Sequence, residues 1–147
     1  YQALVAGRPR ESFTLETLHG RHPGDRKRFS TKVDRGKRAV THIKRTRLLH
    51  ACSAVECRLQ TGRTHQIRVH LADAGHPVVG DGLYGRAPRD PVVREAWKQL
   101  GRQALHAKLL GFRHPVSGES LSFEVEPPED YRECEATLAS AYVPSTQ

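Results

Sequence analysis

TGRTHQIRVHLADAGHPVVGDGLYG, residues 61–85, changes character twice within a short span. A Gly-centred turn, TGRT, opens it. From there Ile67, Leu71 and Ala74 recur at helical spacing, so a short helix has one apolar face, and Gly75 stands where helices commonly end in a left-handed residue. A Gly-rich connector, GHPVVGDGLYG, follows it. Arg63 and Arg68 are therefore tied to a turn that leads into a helix, where unsatisfied N–H groups favour an anion. Arg63, Thr64, His65 and Gln66 are positioned to donate to a phosphate or a base edge, whereas Arg68 lies deeper in the helix. With Ile67 and Val69 beside it, Arg68 is expected to be partly buried, and a buried guanidinium demands a partner. On these residues alone the stretch is either an anion-binding turn or a decorated surface.

Upstream of this turn, period-two alternation with β-branched or aromatic residues marks strands near residues 1–6, 12–18, 39–47 and 53–59. HGRHPGDRKRFSTKVDRGK, residues 19–37, reads as one long loop between the second and third of these. Downstream, PVVREAWKQL (residues 91–100) carries Pro91 in the first turn of a second helix. LHAKLLGF and ESLSFEVE return to strand pattern around the turn RHPVSG, and PPEDYRECEATLAS begins a terminal helix with acids at its positive end. The class is α+β, a mainly antiparallel sheet with flanking helices. Residues 1–139 form one unit, and residues 140–147 are expected to be a flexible tail.

The 147 residues have the length of one domain, with 37% apolar content to bury a core. The net charge of +8 is concentrated: residues 21–47 hold eleven Lys or Arg against two Asp, whereas the rest of the chain holds thirteen against fourteen acids. A polyanion partner fits such a stretch, and so does a solvated loop. Cys52, Cys57 and Cys134 match neither zinc nor redox spacing, so reduced thiols and a cytoplasmic location are expected. His65 and His70 stand five apart, not four, and His19 with His22 lacks a third ligand, so no metal is expected. No apolar run is long enough to span a bilayer, and no nucleotide-cofactor fingerprint occurs. Tyr1 falls within an alternating run, YQALVAG, and the chain has no Met, so it reads as part of a longer protein.

Together, YQALVAG, the 61–85 string and LHAKLLGFRHP (residues 105–115) closely resemble the RluA-type RNA pseudouridine synthases in order and spacing. The resemblance covers about residues 1–139 and implies part of a pseudouridine synthase catalytic domain, which isomerises a uridine flipped out of structured ribosomal or transfer RNA. It implies that Tyr1 packs on the flipped base and helps move its C5 proton. Arg68 matches the arginine that pairs with the nucleophilic aspartate, keeping a buried carboxylate ionised. Leu105 matches a leucine lining the uracil pocket, although plain core packing explains it equally well. Arg26, Lys27, Arg28, Lys37 and Arg38 are expected to contact phosphates, positioning RNA without reading its sequence. The aspartate itself belongs to an upstream HRLD-type motif that does not occur here, and none of Asp25, Asp34, Asp73, Asp81, Asp90 or Asp130 stands in that context. The chain alone is therefore expected to be inactive. No cofactor is implied, and a monomer is expected.

Two other readings compete with the isomerase. One is a non-catalytic RNA-binding module that keeps the basic surface; the other is a nonspecific DNA-binding domain, for which only net charge argues.

Overall fold

A computed structural model describes residues 1–145. In chain order its strands are β1 (Gln2–Ala6), β2 (Ser12–Arg21), β3 (Phe29–Ser30), β4 (Lys37–Leu49) and β5 (Cys52–Leu59). Helices α1 (Gln66–Asp73) and α2 (Pro91–Leu100) follow. Strands β6 (Leu105–His106), β7 (Leu109–Arg113) and β8 (Ser120–Glu124) and helix α3 (Glu129–Ser140) complete the chain. The expected α+β class is observed. Pairing is antiparallel throughout, in a six-stranded sheet ordered β3, β2, β4, β5, β1, β6 and a separate β7–β8 hairpin.

The position of β1 explains its sequence. It is hydrogen-bonded on one edge to β5 and on the other to β6 and the segment at Pro77–Val79, so Ala3, Leu4 and Val5 are all fully buried. An unbroken apolar run is what a strand covered on both faces requires. The core continues through Ile43, Val55, Ile67, Leu71, Val93 and Leu138, which joins the sheet to all three helices. In the β4–β5 ladder the register shifts between Arg45 and Arg47, leaving Thr46 as the extra residue of a bulge.

The helix punctuation follows the sequence reading closely. Gly75 is left-handed (φ +87°) after α1, Pro91 opens α2, and Glu129 and Asp130 occupy the first turn of α3. The Asp90 carboxylate accepts from the Val92 and Val93 N–H groups, an N-cap that holds the start of α2. Residues 19–37 differ from expectation. There β2 runs on to Arg21 and β3 pairs back against it, so the basic segment is a hairpin with its tip at His22–Arg28. Helix α3 reaches Ser140, the first residue of the expected tail; Thr146 and Gln147 lie outside the described residues. Among the described residues no helix is long and apolar enough to cross a membrane.

Candidate functional site

Helix α1 is docked on β4 by a buried polar chain. Gln66 is only 2% exposed, and its amide nitrogen donates to the Val40 carbonyl and the Thr41 hydroxyl, both at 2.9 Å. Its oxygen accepts from the Thr61 hydroxyl and the Arg63 N–H. All of its hydrogen-bonding capacity is thus taken by the framework, and Gln66 has no donor left for a phosphate or base, contrary to the sequence expectation. Thr41, having accepted from Gln66, donates to His70 Nδ1 at 2.7 Å, and His70 Nε2–H donates to the Thr17 hydroxyl at 2.7 Å. Burial pushes the His70 imidazole down to about 4, so it is neutral in this network.

Arg68, one turn into the helix, forms a two-pronged pair with Asp81. Its Nε donates to Oδ2 at 2.7 Å and its Nη2 to Oδ1 at 3.0 Å. The arginine side chain is 13% exposed and the aspartate 1%. Asp81 also caps the turn that follows it, accepting from the Leu83 and Tyr84 N–H groups. Burial is the largest single influence on the Asp81 carboxyl and pushes it up, but the Arg68, Tyr84 and Leu83 hydrogen bonds together hold it below its ordinary range. The Asp81 hydrogen bond raises the Arg68 guanidinium. The partner that the sequence demanded for Arg68 is, in this chain, thirteen residues downstream.

The capped turn presents Tyr84 as a connector. Its ring lies with the Arg68 guanidinium 5.0 Å and the Arg28 guanidinium 5.5 Å from its centroid, and its hydroxyl accepts from the Phe29 N–H at 2.9 Å. The same hydroxyl is hydrogen-bonded to His65 Nδ1 at 2.8 Å. His65 occupies the left-handed region (φ +57°) as the N-cap of α1, and burial lowers its pKa. Tyr84 therefore ties the basic hairpin to the helix start.

A cavity of about 250 Å³ opens beside these groups, lined by Tyr1, Leu59, Arg63, His65, Arg68 and Leu105 among others. Tyr1 is 42% exposed and Leu105 is half-buried, so an apolar wall and an aromatic ring face the cationic end of α1. Residues separated by as many as 104 positions are brought to one cleft. Thr64 lies outside it, on a second cavity with Lys37. Arg26 and Lys27 sit exposed at the hairpin tip and line neither, while Arg38 pairs with Glu16 on the open surface at 2.6 Å.

A family model described as RNA pseudouridylate synthase matches residues 1–73. A ribosomal large subunit pseudouridine synthase D of Neisseria meningitidis is 48% identical over 134 residues, 88% of this chain and 36% of that protein. Its counterpart in Zymomonas mobilis is 42% identical over 88% of this chain and 41% of its own length. The chain belongs to the RluA-type RNA pseudouridine synthase family. Among solved structures, human RNA Pseudouridylate Synthase Domain Containing 1 superposes with a TM-score of 0.71 at 28% identity, covering 94% of this chain and 57% of that one. This chain thus spans well under half the length of the curated relatives it matches here.

Within this pseudouridine synthase fold, the turn around Asp81 is structural and Asp81 caps its backbone N–H groups, as the Gly-rich sequence implies, but the link from that turn to α1 was missed. Asp81 and Tyr84 stand in a Gly-rich turn, and no local periodicity links that turn to α1. The available signal was the buried arginine itself, which required a carboxylate from elsewhere in the chain.

Proposed function

We propose that this chain is the base-binding and RNA-facing part of an RNA pseudouridine synthase that isomerises uridine in structured RNA, ribosomal RNA in the first place. The observation that carries this reading is the cleft that joins Tyr1, Leu105 and Arg68 beside a basic hairpin. An apolar wall and an aromatic ring suit a flipped uracil, which stacks and excludes water, while the cations around the rim suit its phosphates. Arg26, Lys27, Arg28 and Lys37 then position the RNA backbone. The reaction neither consumes nor generates reducing equivalents: the glycosidic C–N bond breaks, the uracil turns, and a C–C bond forms as C5 gives up its proton and the released N1 takes one up.

The attacking carboxylate does not come from Asp81, which is 1% exposed with both oxygens occupied by Arg68 and backbone N–H groups. The proposed reaction takes it from an aspartate outside these 147 residues. Arg68 holds Nη1 clear of Asp81 and has this donor for that second carboxylate.

The test is tritium release from C5-labelled uridine in ribosomal RNA, measured in single turnover with saturating native protein. Arg68→Lys keeps a charge beside Asp81 but loses the planar fork, so the rate should fall on the order of a hundredfold, with RNA affinity maintained. A parent-like rate would remove Arg68 from the chemistry. Tritium release by the 147-residue chain alone, with contaminating synthase excluded, would refute the external carboxylate.

A further inference from the structure

The returning arm of the basic hairpin is fastened to both ends of α1. At the helix start, the Phe29 N–H donates to the Tyr84 hydroxyl at 2.9 Å, and that hydroxyl is hydrogen-bonded to His65 Nδ1 at 2.8 Å. At the helix end, the Thr31 N–H and the Thr31 hydroxyl both donate to Asp73 Oδ2. Between these points the Phe29 and His65 rings meet edge to face at 83°, with centroids 5.8 Å apart. The tip beyond Phe29 is held differently. Arg21 Nη1 donates to the Arg26 carbonyl, and the Lys27 N–H donates to the Asp25 carboxylate. Such bonds keep the shape of the tip but do not aim it. Its direction is set where Phe29 meets Tyr84.

Tyr84 belongs to neither the hairpin nor the helix, and its two ends hold different things. The hydroxyl holds the arm, as above. The ring centroid lies 5.0 Å from the Arg68 guanidinium and 5.5 Å from that of Arg28, both within the range over which a cation is drawn to an aromatic ring. Asp81 already takes Nε and Nη2 of Arg68, so the ring and the carboxylate together restrict how the fork can turn, and with it the free Nη1. Tyr84 does not line the Tyr1–Leu105 cleft, so it can act on a substrate there only through its neighbours.

We propose that Tyr84 is a positioning residue for the reaction, coupling RNA held by the basic hairpin to the arginine in the cleft. Its hydroxyl aims the arm that carries Arg26, Lys27 and Arg28 at the phosphates, and its ring fixes the guanidinium of Arg68. The two tasks are separable, because one depends on a hydrogen bond and the other on a ring face. This inference rests on the proposed RNA substrate.

The experiment uses the native full-length protein and ribosomal RNA, with equilibrium affinity measured beside the single-turnover rate of tritium release from C5-labelled uridine at saturation. Tyr84→Phe keeps the ring and removes the hydroxyl, so RNA affinity should fall roughly fivefold, more than the saturating rate does. With Arg26→Ala and Lys27→Ala already in place, Tyr84→Phe should cause no further loss of affinity, because the arm then has no exposed cations to aim. Tyr84→Leu removes the ring as well, and its saturating rate should fall roughly tenfold below that of Tyr84→Phe. A residue needed only for folding would lower both quantities in step with the folded fraction and give no such split. The coupling alone is overturned if Tyr84→Phe leaves affinity unchanged, if its loss is as large with the tip neutralised, or if Tyr84→Phe and Tyr84→Leu share one rate. If the neutralised tip binds RNA as the parent does, or the parent releases no tritium, the RNA reading fails and the coupling falls with it.

Discussion

Two arginine–aspartate pairs of nearly the same geometry hold two different parts of this fold. Arg68 grips Asp81 at the start of the site with distances of 2.7 and 3.0 Å; Arg102 grips Asp130 at the foot of α3 with two of 2.8 Å. The first aspartate is 1% exposed and the second 43%. In both pairs the arginine is raised and the aspartate lowered. Geometry and titration thus fail to separate them, and burial decides. An exposed pair trades solvation for contact at little net gain, whereas a buried one leaves a stranded charge if either member is lost.

The largest expected effect breaks the buried pair. Asp81→Asn should lower unfolding stability by about 3 kcal/mol, because the guanidinium loses its countercharge in a site nearly closed to water. The measurement is the urea midpoint at constant m-value, and a shift close to zero would mean that water reaches the pair. An intermediate effect comes from acid and belongs to the same region. The His70 pKa lies at about 4 when folded against an ordinary 6.5, so the unfolded chain binds the proton more readily. Its contribution is complete above about 6.5 and lost as pH falls toward 4. His70→Leu should flatten the pH dependence of the midpoint in that window; an unchanged slope would assign it to other groups. The smallest effect is at the exposed pair, where Asp130→Asn should leave the melting temperature unmoved. A clear loss there would show that α3 depends on this contact more than its exposure allows.

The contrast between these pairs also marks what could be read from residue order. The strands, the helix boundaries at Gly75 and Pro91 and the acids at the start of α3 were legible because each rests on local spacing or on backbone geometry that few residues satisfy. Tyr1 and Leu105 were found through a long resemblance, not through spacing, whereas Arg68 also stood out by its apolar neighbours Ile67 and Val69, and the cleft the three share depends on sheet order. Gln66 was misjudged for a physical reason: an amide beside an arginine-rich turn suits a ligand and a framework equally, and its burial against Val40 and Thr41 decides between them. The partnership of Arg68 with Asp81 is a tertiary property with no periodic trace. The β7–β8 hairpin gave the opposite lesson. Its strand pattern was plain, yet Leu109, Leu110, Phe112 and Phe123 are exposed, because alternation specifies pleat and not cover.

The bulge in β4 has a consequence for how this strand can change length. Arg45 pairs with Val55 and Arg47 with Ala54, so the ladder on each side of Thr46 is already continuous on β5. Removing Thr46 would join two registers that match, and every existing cross-strand partner would be retained. Removing any residue between Thr41 and Ile43 would instead slide part of the strand by one place, turning buried positions such as Thr41 outward and breaking the polar chain to His70. Among single-residue deletions in β4, the one at Thr46 is thus expected to be the gentlest, replacing a local coil in the sheet by a straighter ribbon.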